Sequence, residues 1–156
     1  MTRTIEQNLE KSGIKLPRPV APVANYVPFV RTGNLLSISG QIPVDSEGKL
    51  PFIGKVGQDV SPEDAIKAAR LCAINIISQA NVACDGDLSR VVRIVRLGVF
   101  INCIDGFAGQ PAIANGASDL MVAVFGDLGK HSRSAVGTNA LPLNVPVEID
   151  ALIEIS

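Results

Sequence analysis

The segment VEIDALIEI, residues 147–155, decides the fold class because its side chains alternate in character. Apart from Leu152, apolar residues occupy one set of alternate positions and acidic residues occupy the other. This period of two predicts a β-strand with one apolar and one acidic face. We expect the apolar face to meet helices. The acidic face, which carries Glu148 and Asp150, then needs water, a ligand or a partner subunit to cover it.

The elements predicted upstream of this strand mix strands with helices. They are, in chain order, a short helix at residues 4–12, an extended proline-containing arm at 16–23, strands at 26–30 and 35–39, a helix at 62–83, a strand at 91–103, a helix at 111–125, and strands at 134–139 and 147–155. We expect the last two strands to form a hairpin-like pair. The order favours an α+β fold, with a mixed β-sheet and two helices on one face.

Composition narrows the functional classes. The 156 residues suit a single domain over residues 1–156, with an N-terminal extension at about residues 1–23. The formal net charge of −1 and the pI of about 5.8 give no electrostatic footprint for nucleic acid. Three cysteines without CxxC spacing argue against a disulfide framework and a structural zinc site. With no apolar signal segment or membrane-length run, we expect a cytoplasmic protein with reduced thiols and no membrane partner.

Two charged residues near the last strands carry the clearest chemistry. The guanidinium of Arg133 could clamp a carboxylate with two parallel hydrogen bonds. Glu148 could accept a proton or orient a water molecule. The same residue types also form structural ion pairs. From these residues alone, the pair is compatible with a site or with an ion pair.

Several short motifs occur in an order that resembles the YjgF/RidA family of small trimeric deaminases. The resemblance covers about residues 26–155 of the chain. Its motifs are Asn25-Tyr26, Gly33-Asn34, Ser39-Gly40-Gln41-Ile42-Pro43, Asn75, Asp105-Gly106-Phe107-Ala108, Arg133-Ser134, Leu141-Pro142 and Val147-Glu148-Ile149-Asp150-Ala151. The length, the N-terminal extension and residues 116–120 look like a longer branch of the family that is often labelled endoribonuclease.

The resemblance implies both a fold and an activity. It implies a chorismate-mutase-like α+β fold and a homotrimer with clefts between adjacent subunits. The implied reaction is hydrolytic deamination of small reactive 2-imino or enamine acids to 2-oxo acids and ammonia. The partners are then other copies of the chain and a small substrate that bears a carboxylate. No metal or organic cofactor is implied, and the chain is expected to be an enzyme.

The resemblance also assigns roles to residues. Arg133 matches the arginine that grips the substrate carboxylate, and Glu148 matches the glutamate that positions and activates the attacking water. Tyr26 matches an aromatic residue at the mouth of the cleft. Ser39 matches a serine whose hydroxyl lies in the cleft. Each has a structural alternative, since a serine at a strand end often only satisfies local backbone groups.

The chain departs from the family pattern at two positions. Ala135 stands where many members carry cysteine, so only its backbone groups could bind substrate or water. Asn115 is the nearest candidate for an asparagine that usually follows the Phe-Ala pair in the second long helix. Ser118 or Asp119 could occupy that place instead. His131, the chain's single histidine, precedes Arg133 by two residues and is more often a loop or interface residue in such a position.

Two other functions remain open at this point. The cleft could bind a small 2-oxo or amino acid without turnover, a reading that Ala135 motivates. An endoribonuclease is the weaker alternative, because an acidic chain with one histidine lacks the basic, aromatic surface that binds RNA.

Overall fold

The computed structural model describes residues 4–19, 22 and 24–156. In this part of the chain, five strands form one mixed sheet, and two long helices cover one of its faces. The helices and strands are α1 (Ile5–Lys11), β1 (Phe29–Thr32), β2 (Leu35–Gln41), α2 (Pro62–Ala83), β3 (Val91–Asn102), α3 (Gln110–Phe125), β4 (Ser132–Thr138) and β5 (Val147–Ile155). Short 3₁₀ turns lie at Leu88–Arg90, Gly126–Gly129 and Pro142–Asn144. The predicted α+β class is confirmed.

The strand order is β1-β2-β5-β3-β4, so β4 lies at an edge and β5 lies near the centre. β4 runs parallel to β3, while β5 pairs antiparallel with both β2 and β3. The prediction that β4 and β5 form a hairpin-like pair is therefore wrong. The helix between β3 and β4 makes a crossover long enough for parallel pairing, and this places β3 between the last two strands.

The two faces of β5 differ as the alternation predicts. Ile149 and Ile153 lie in the core against the helices, whereas Glu148 and Asp150 lie half-buried on the opposite face. The register carries this division across the sheet, because Ile149 pairs with Val99 and Glu148 pairs with Phe100. One face of the sheet is thus a helix-covered core, and the other is open.

Helix α2 begins and packs as its sequence indicates. The hydroxyl of Ser61 accepts a hydrogen bond from the Asp64 N–H at 3.1 Å, and Pro62 occupies the first turn. Helix α3 approaches α2 closely at Gly116, where a Cβ atom would lie 2.2 Å from the carbonyl oxygen of Ile66.

The N-terminal segment packs on the helices. Thr4 caps α1 in a capping box, and the Asn8 amide donates to the carbonyl of Val124 at 2.9 Å. The hydroxyl of Ser78 in α2 donates to the carbonyl of Pro17, which explains why this serine is buried. Of the predicted extended arm at 16–23, residues 16–19 and 22 form no helix or strand, and the others lie outside the described residues.

The first strand begins later than predicted. Tyr26, expected in the strand at 26–30, lies in a bend, and β1 starts three residues further on. The hairpin turn is limited to Gly33 and Asn34, with Gly33 at a φ of 58° that a side chain would strain. No helix among the described residues has the length and apolarity to cross a membrane. The three cysteines are buried free thiols.

Candidate functional site

The predicted site residues divide into two groups on opposite faces of the sheet. One group lines a depression of about 600 Å³ on the open face. We call it the acidic half-site, and its residues are Tyr26, Ser39, Gly40, Glu148 and Asp150. Ser39 and Gly40 lie at the bulged end of β2, and Glu148 and Asp150 lie on β5. Tyr26 precedes β1.

Glu148 is the central group of the acidic half-site. Its carboxylate lies directly over Gly40, where a Cβ atom would come within 2.1 Å of Oε1. The glycine therefore makes room for the carboxylate in this position. Burial raises the pKa of Glu148 above its ordinary value, and the charge of Asp150 raises it further. A carboxylate with a raised pKa is a stronger base than an exposed one.

Tyr26 and Ser39 lie at the rim of the same depression. The side chain of Tyr26 is 56% exposed, so its ring is available to a ligand or to another subunit. The hydroxyl of Ser39 donates to the carbonyl of Val27 at 2.8 Å, so only its lone pairs remain for a ligand. A smaller cavity of about 150 Å³ adjoins the depression at these residues and extends to Asn75 and Gln79.

The second group surrounds Arg133 on the helix-covered side of β4. We call it the arginine half-site, and its residues are Asn115, Ser118, His131, Arg133 and Ala135. Nη1 of Arg133 donates to Oδ1 of Asn115 at 2.8 Å and to Oγ of Ser118 at 3.0 Å. Nη2 donates to the carbonyl of Pro111 at 3.2 Å. The guanidinium is thus held by neutral oxygen acceptors from about two turns of α3.

The three hydrogen bonds leave part of the guanidinium uncommitted. Its Nε–H and one Nη2–H have no hydrogen-bond partner among the described residues. Ala135 follows on the same side of β4, opposite Val99 of β3. Because β4 is an edge strand, backbone groups on its outer side are available for further hydrogen bonding. The arginine half-site can therefore accept a carboxylate.

Within one chain, Arg133 and Glu148 do not meet. Strand register places Arg133 opposite Leu97 on the helix-covered face, and Glu148 opposite Phe100 on the open face. The ion pair between them that the sequence left open does not form in the described structure. Neither residue belongs to any of the ion pairs found among the described residues.

Sequence reasoning did not foresee the contacts that hold Arg133. It treated Asn115 and Ser118 as alternatives, yet both bond to the guanidinium, while no hydrogen bond joins Asp119 to Arg133 among the described residues. The signal was present in the spacing, because residues three apart lie on the same side of a helix. The contact between Ser118 and His131, at 2.9 Å, carries no comparable sequence signal.

Comparison with known proteins assigns the chain to a family. The family described as "YjgF/chorismate mutase-like, putative endoribonuclease" matches residues 6–154. The chain belongs to this YjgF/chorismate mutase-like family. The assignment confirms the resemblance found in the sequence and the fold that it implied.

Individual relatives cover nearly the same length. Protein TCP17 of Trypanosoma cruzi is 44% identical over 153 residues, which are 97% of this chain and 94% of that protein. The 2-iminobutanoate/2-iminopropanoate deaminase of Salmonella typhimurium is 33% identical over 132 residues, 85% of this chain and 88% of the enzyme. The solved structure of Atu1372 from Agrobacterium tumefaciens, of unknown function, has a TM-score of 0.91 at 46% identity and covers 98% of this chain and 94% of that one. The family thus includes imine deaminases as well as proteins without an assigned activity.

Proposed function

We propose that the protein hydrolyses small reactive 2-imino and enamine acids to 2-oxo acids and ammonia. The observation that carries the proposal is Arg133, a guanidinium fixed by neutral acceptors and left with N–H groups to spare. Such a group binds a planar carboxylate through two parallel hydrogen bonds. The similarity to a 2-iminobutanoate/2-iminopropanoate deaminase supports this substrate class.

The catalytic cleft, in this proposal, forms between subunits of a homotrimer. The arginine half-site of one subunit meets the acidic half-site of its neighbour, since a single chain holds them on opposite faces of its sheet. The open face also exposes Phe100, which pairs with Glu148, and Val136, which pairs with Phe100; the two are 38% and 46% accessible. Exposed apolar side chains next to a half-buried carboxylate are typical of a surface that another subunit covers.

The reaction requires few groups because an imine carbon is already electrophilic. Arg133 binds the substrate carboxylate and so fixes the C=N carbon beside a water molecule. Glu148 takes a proton from the water as the water oxygen bonds to that carbon, and the π electrons of the C=N bond move to the nitrogen, which takes a proton back from Glu148. In the carbinolamine that results, the hydroxyl proton passes to the nitrogen as the C–N bond breaks, ammonia leaves and the C–O bond becomes C=O. An enamine first tautomerises to the imine by gaining a proton at carbon.

The test is to generate 2-iminopropanoate in solution and to follow its loss against buffer alone. We expect the protein to accelerate the loss, and the Arg133→Ala variant to lose this acceleration. Ser89→Ala is a surface control, because among the described residues the hydroxyl of Ser89 bonds only to Asp87, within an exposed turn. Loss of imine no faster than in buffer would refute the deaminase proposal.

A second candidate function is binding of a small 2-oxo acid without turnover. The observation that favours it is Ala135, because the thiol that many family members carry at this position is absent. Calorimetric titration with 2-oxobutanoate separates the two functions. Saturable binding that disappears in Arg133→Ala, together with no imine hydrolysis, would identify a binding module. Cleavage of RNA by the wild type that Arg133→Ala abolishes would instead support the endoribonuclease alternative.

A further inference from the structure

We infer that Ser118 and His131 are positioning residues that set the orientation of Arg133 through a directed chain of hydrogen bonds. The inference rests on the proposed function, in which Arg133 binds the substrate carboxylate. The chain of contacts runs from Nη1 of Arg133 to Oγ of Ser118 at 3.0 Å, and from that oxygen to Nε2 of His131 at 2.9 Å. It ends where Nδ1 of His131 meets the carbonyl of Gly129 at 2.6 Å.

The direction of each bond follows from the chemistry of the groups at the two ends. A backbone carbonyl only accepts, so Nδ1 of His131 carries the proton that is donated to Gly129. In the neutral ring Nε2 is then an acceptor, and the Ser118 hydroxyl donates to it. A guanidinium only donates, so Ser118 accepts from Arg133. Each group therefore has one role, and reversing any bond would leave a neighbour without its partner.

This chain fixes the serine hydroxyl as an acceptor that faces Arg133. A free serine hydroxyl can rotate and present either its hydrogen or its lone pairs. With its hydrogen committed to His131, Ser118 presents lone pairs to Nη1, and Asn115 accepts the other Nη1 donor. Both hydrogens of Nη1 are then occupied, which turns the uncommitted Nε–H and Nη2–H toward the remaining space.

His131 and Ser118 lie on different elements, so their bond also ties α3 to the start of β4. A purely structural role is the alternative explanation. The two roles differ in what they affect, because a structural tie alters unfolding, whereas a positioning residue alters binding of the carboxylate. The kinetic signature of positioning is a rise in KM with little change in kcat, since a carboxylate held equally in ground and transition states contributes uniform binding.

The experiment compares Ser118→Ala with Ser118→Thr and His131→Phe with His131→Gln. We expect the two variants that lack the required hydrogen-bonding group, Ser118→Ala and His131→Phe, to raise the KM for 2-iminopropanoate by about tenfold, the usual effect of losing a hydrogen bond to a charged group. Threonine keeps the hydroxyl, and the glutamine oxygen can accept where Nε2 does, so we expect both to recover most of the loss. Ser89→Ala should leave KM unchanged.

Nuclear magnetic resonance supplies a readout that does not need activity. His131 is the chain's single histidine, so its ring nitrogens are assigned without ambiguity. We expect Nδ1 to be the protonated nitrogen, and rotation of the Arg133 Nη1 group to be slow in the wild type and faster in Ser118→Ala. A ring protonated at Nε2 alone, or Nη1 rotation unchanged by Ser118→Ala, would overturn the inference whether or not the protein is an enzyme.

Failure of the proposed function looks different. A wild type that neither hydrolyses imines nor binds 2-oxobutanoate refutes the deaminase, while the nuclear magnetic resonance results still decide whether the chain of hydrogen bonds orders Arg133. An active wild type in which Ser118→Ala lowers the unfolding midpoint but leaves KM unchanged refutes the positioning role alone.

Discussion

The arginine half-site and the acidic half-site are organised in opposite ways. Arg133 is fixed by three hydrogen bonds to groups of its own chain, on an edge strand beside α3. Glu148 lies on a central strand, and among the described residues no side-chain hydrogen bond to its carboxylate is found, although burial and Asp150 both raise its pKa. The arginine is held by contacts within the chain. The glutamate carries a charge that its surroundings destabilise.

In the proposed reaction, this contrast corresponds to a division of roles, with substrate binding at Arg133 and proton transfer at Glu148. A group that anchors the substrate benefits from rigidity, because an ordered guanidinium loses little entropy on binding. A group that moves a proton benefits instead from a raised pKa, and partial burial on an open face provides it.

Replacing Glu148 by glutamine should have the largest effect on the reaction. The amide keeps the shape but cannot accept a proton from water, so kcat should fall by about 10³-fold, within the usual range for loss of a general base. In the wild type, activity should rise with pH as Glu148 loses its proton, at a higher pH than for an exposed glutamate because its pKa is raised by burial and then by Asp150. If the pH–activity profiles of the wild type and Glu148→Gln showed the same acidic limb, the role of Glu148 as general base would be contradicted.

Replacing Arg133 by alanine should weaken substrate binding more than it slows turnover. Loss of the bidentate carboxylate contact should raise KM by about 100-fold, the effect of removing a charged hydrogen-bonded partner. Arg133→Lys keeps the charge without the planar fork and should recover only part of the loss. Steady-state kinetics on 2-iminopropanoate measure both, and equal KM values for the wild type and Arg133→Ala would exclude the anchor.

Replacing Gly40 by alanine should displace the Glu148 carboxylate without disturbing the sheet. The new Cβ would lie 2.1 Å from Oε1, and the far end of a flexible side chain can move away from it. We expect kcat to fall by about tenfold, since small misplacements of a catalytic group are costly. The unfolding midpoint should change little, and an activity equal to the wild type would show that the position of the carboxylate is unimportant.

The smallest effect should appear in stability as a function of pH. Because the folded-state pKa of Glu148 is raised, its contribution is fully present below the unfolded-state pKa and is lost as pH rises through the folded-state value. Glu148→Gln removes this loss. In urea unfolding from about pH 4, near the ordinary Glu pKa, to about pH 8, the free energy of unfolding of the variant should gain on that of the wild type as pH increases and then level off. A constant difference would contradict the raised pKa.

Much of the fold could be predicted from the sequence, because local signals decide it. The alternation in β5 gave its bounds and its two faces, and the Ser61 cap with Pro62 gave the start of α2. The pairing of β4 could not be predicted in this way. Whether β4 pairs with β5 or with β3 depends on how α3, which connects β3 to β4, packs on the sheet. That packing is a property of tertiary contacts rather than of any local segment.

The candidate site shows the same limit. Arg133 and Glu148 were recognised by residue type and resemblance, but the alternation assigned a face only to Glu148. The opposite orientation of Arg133 follows from the parallel register of β4 with β3, which no local pattern encodes. The bond between Ser118 and His131 joins a helix to a strand that follows a loop, so neither spacing nor periodicity indicates it.

The central claim is that a working cleft takes its arginine from one subunit and its glutamate from another. The most direct measurement mixes two variants, Arg133→Ala and Glu148→Gln, by co-expression with different tags and purification of the mixed assembly. Activity is assayed well below the wild-type KM, where each variant alone is nearly inactive. If adjacent subunits share the cleft, each purified mixed trimer holds one intact cleft out of three, with Arg133 from a Glu148→Gln subunit and Glu148 from an Arg133→Ala subunit, so about one third of wild-type activity should return. If both residues act within one chain, every site stays defective and the mixture remains inactive, which would contradict the account.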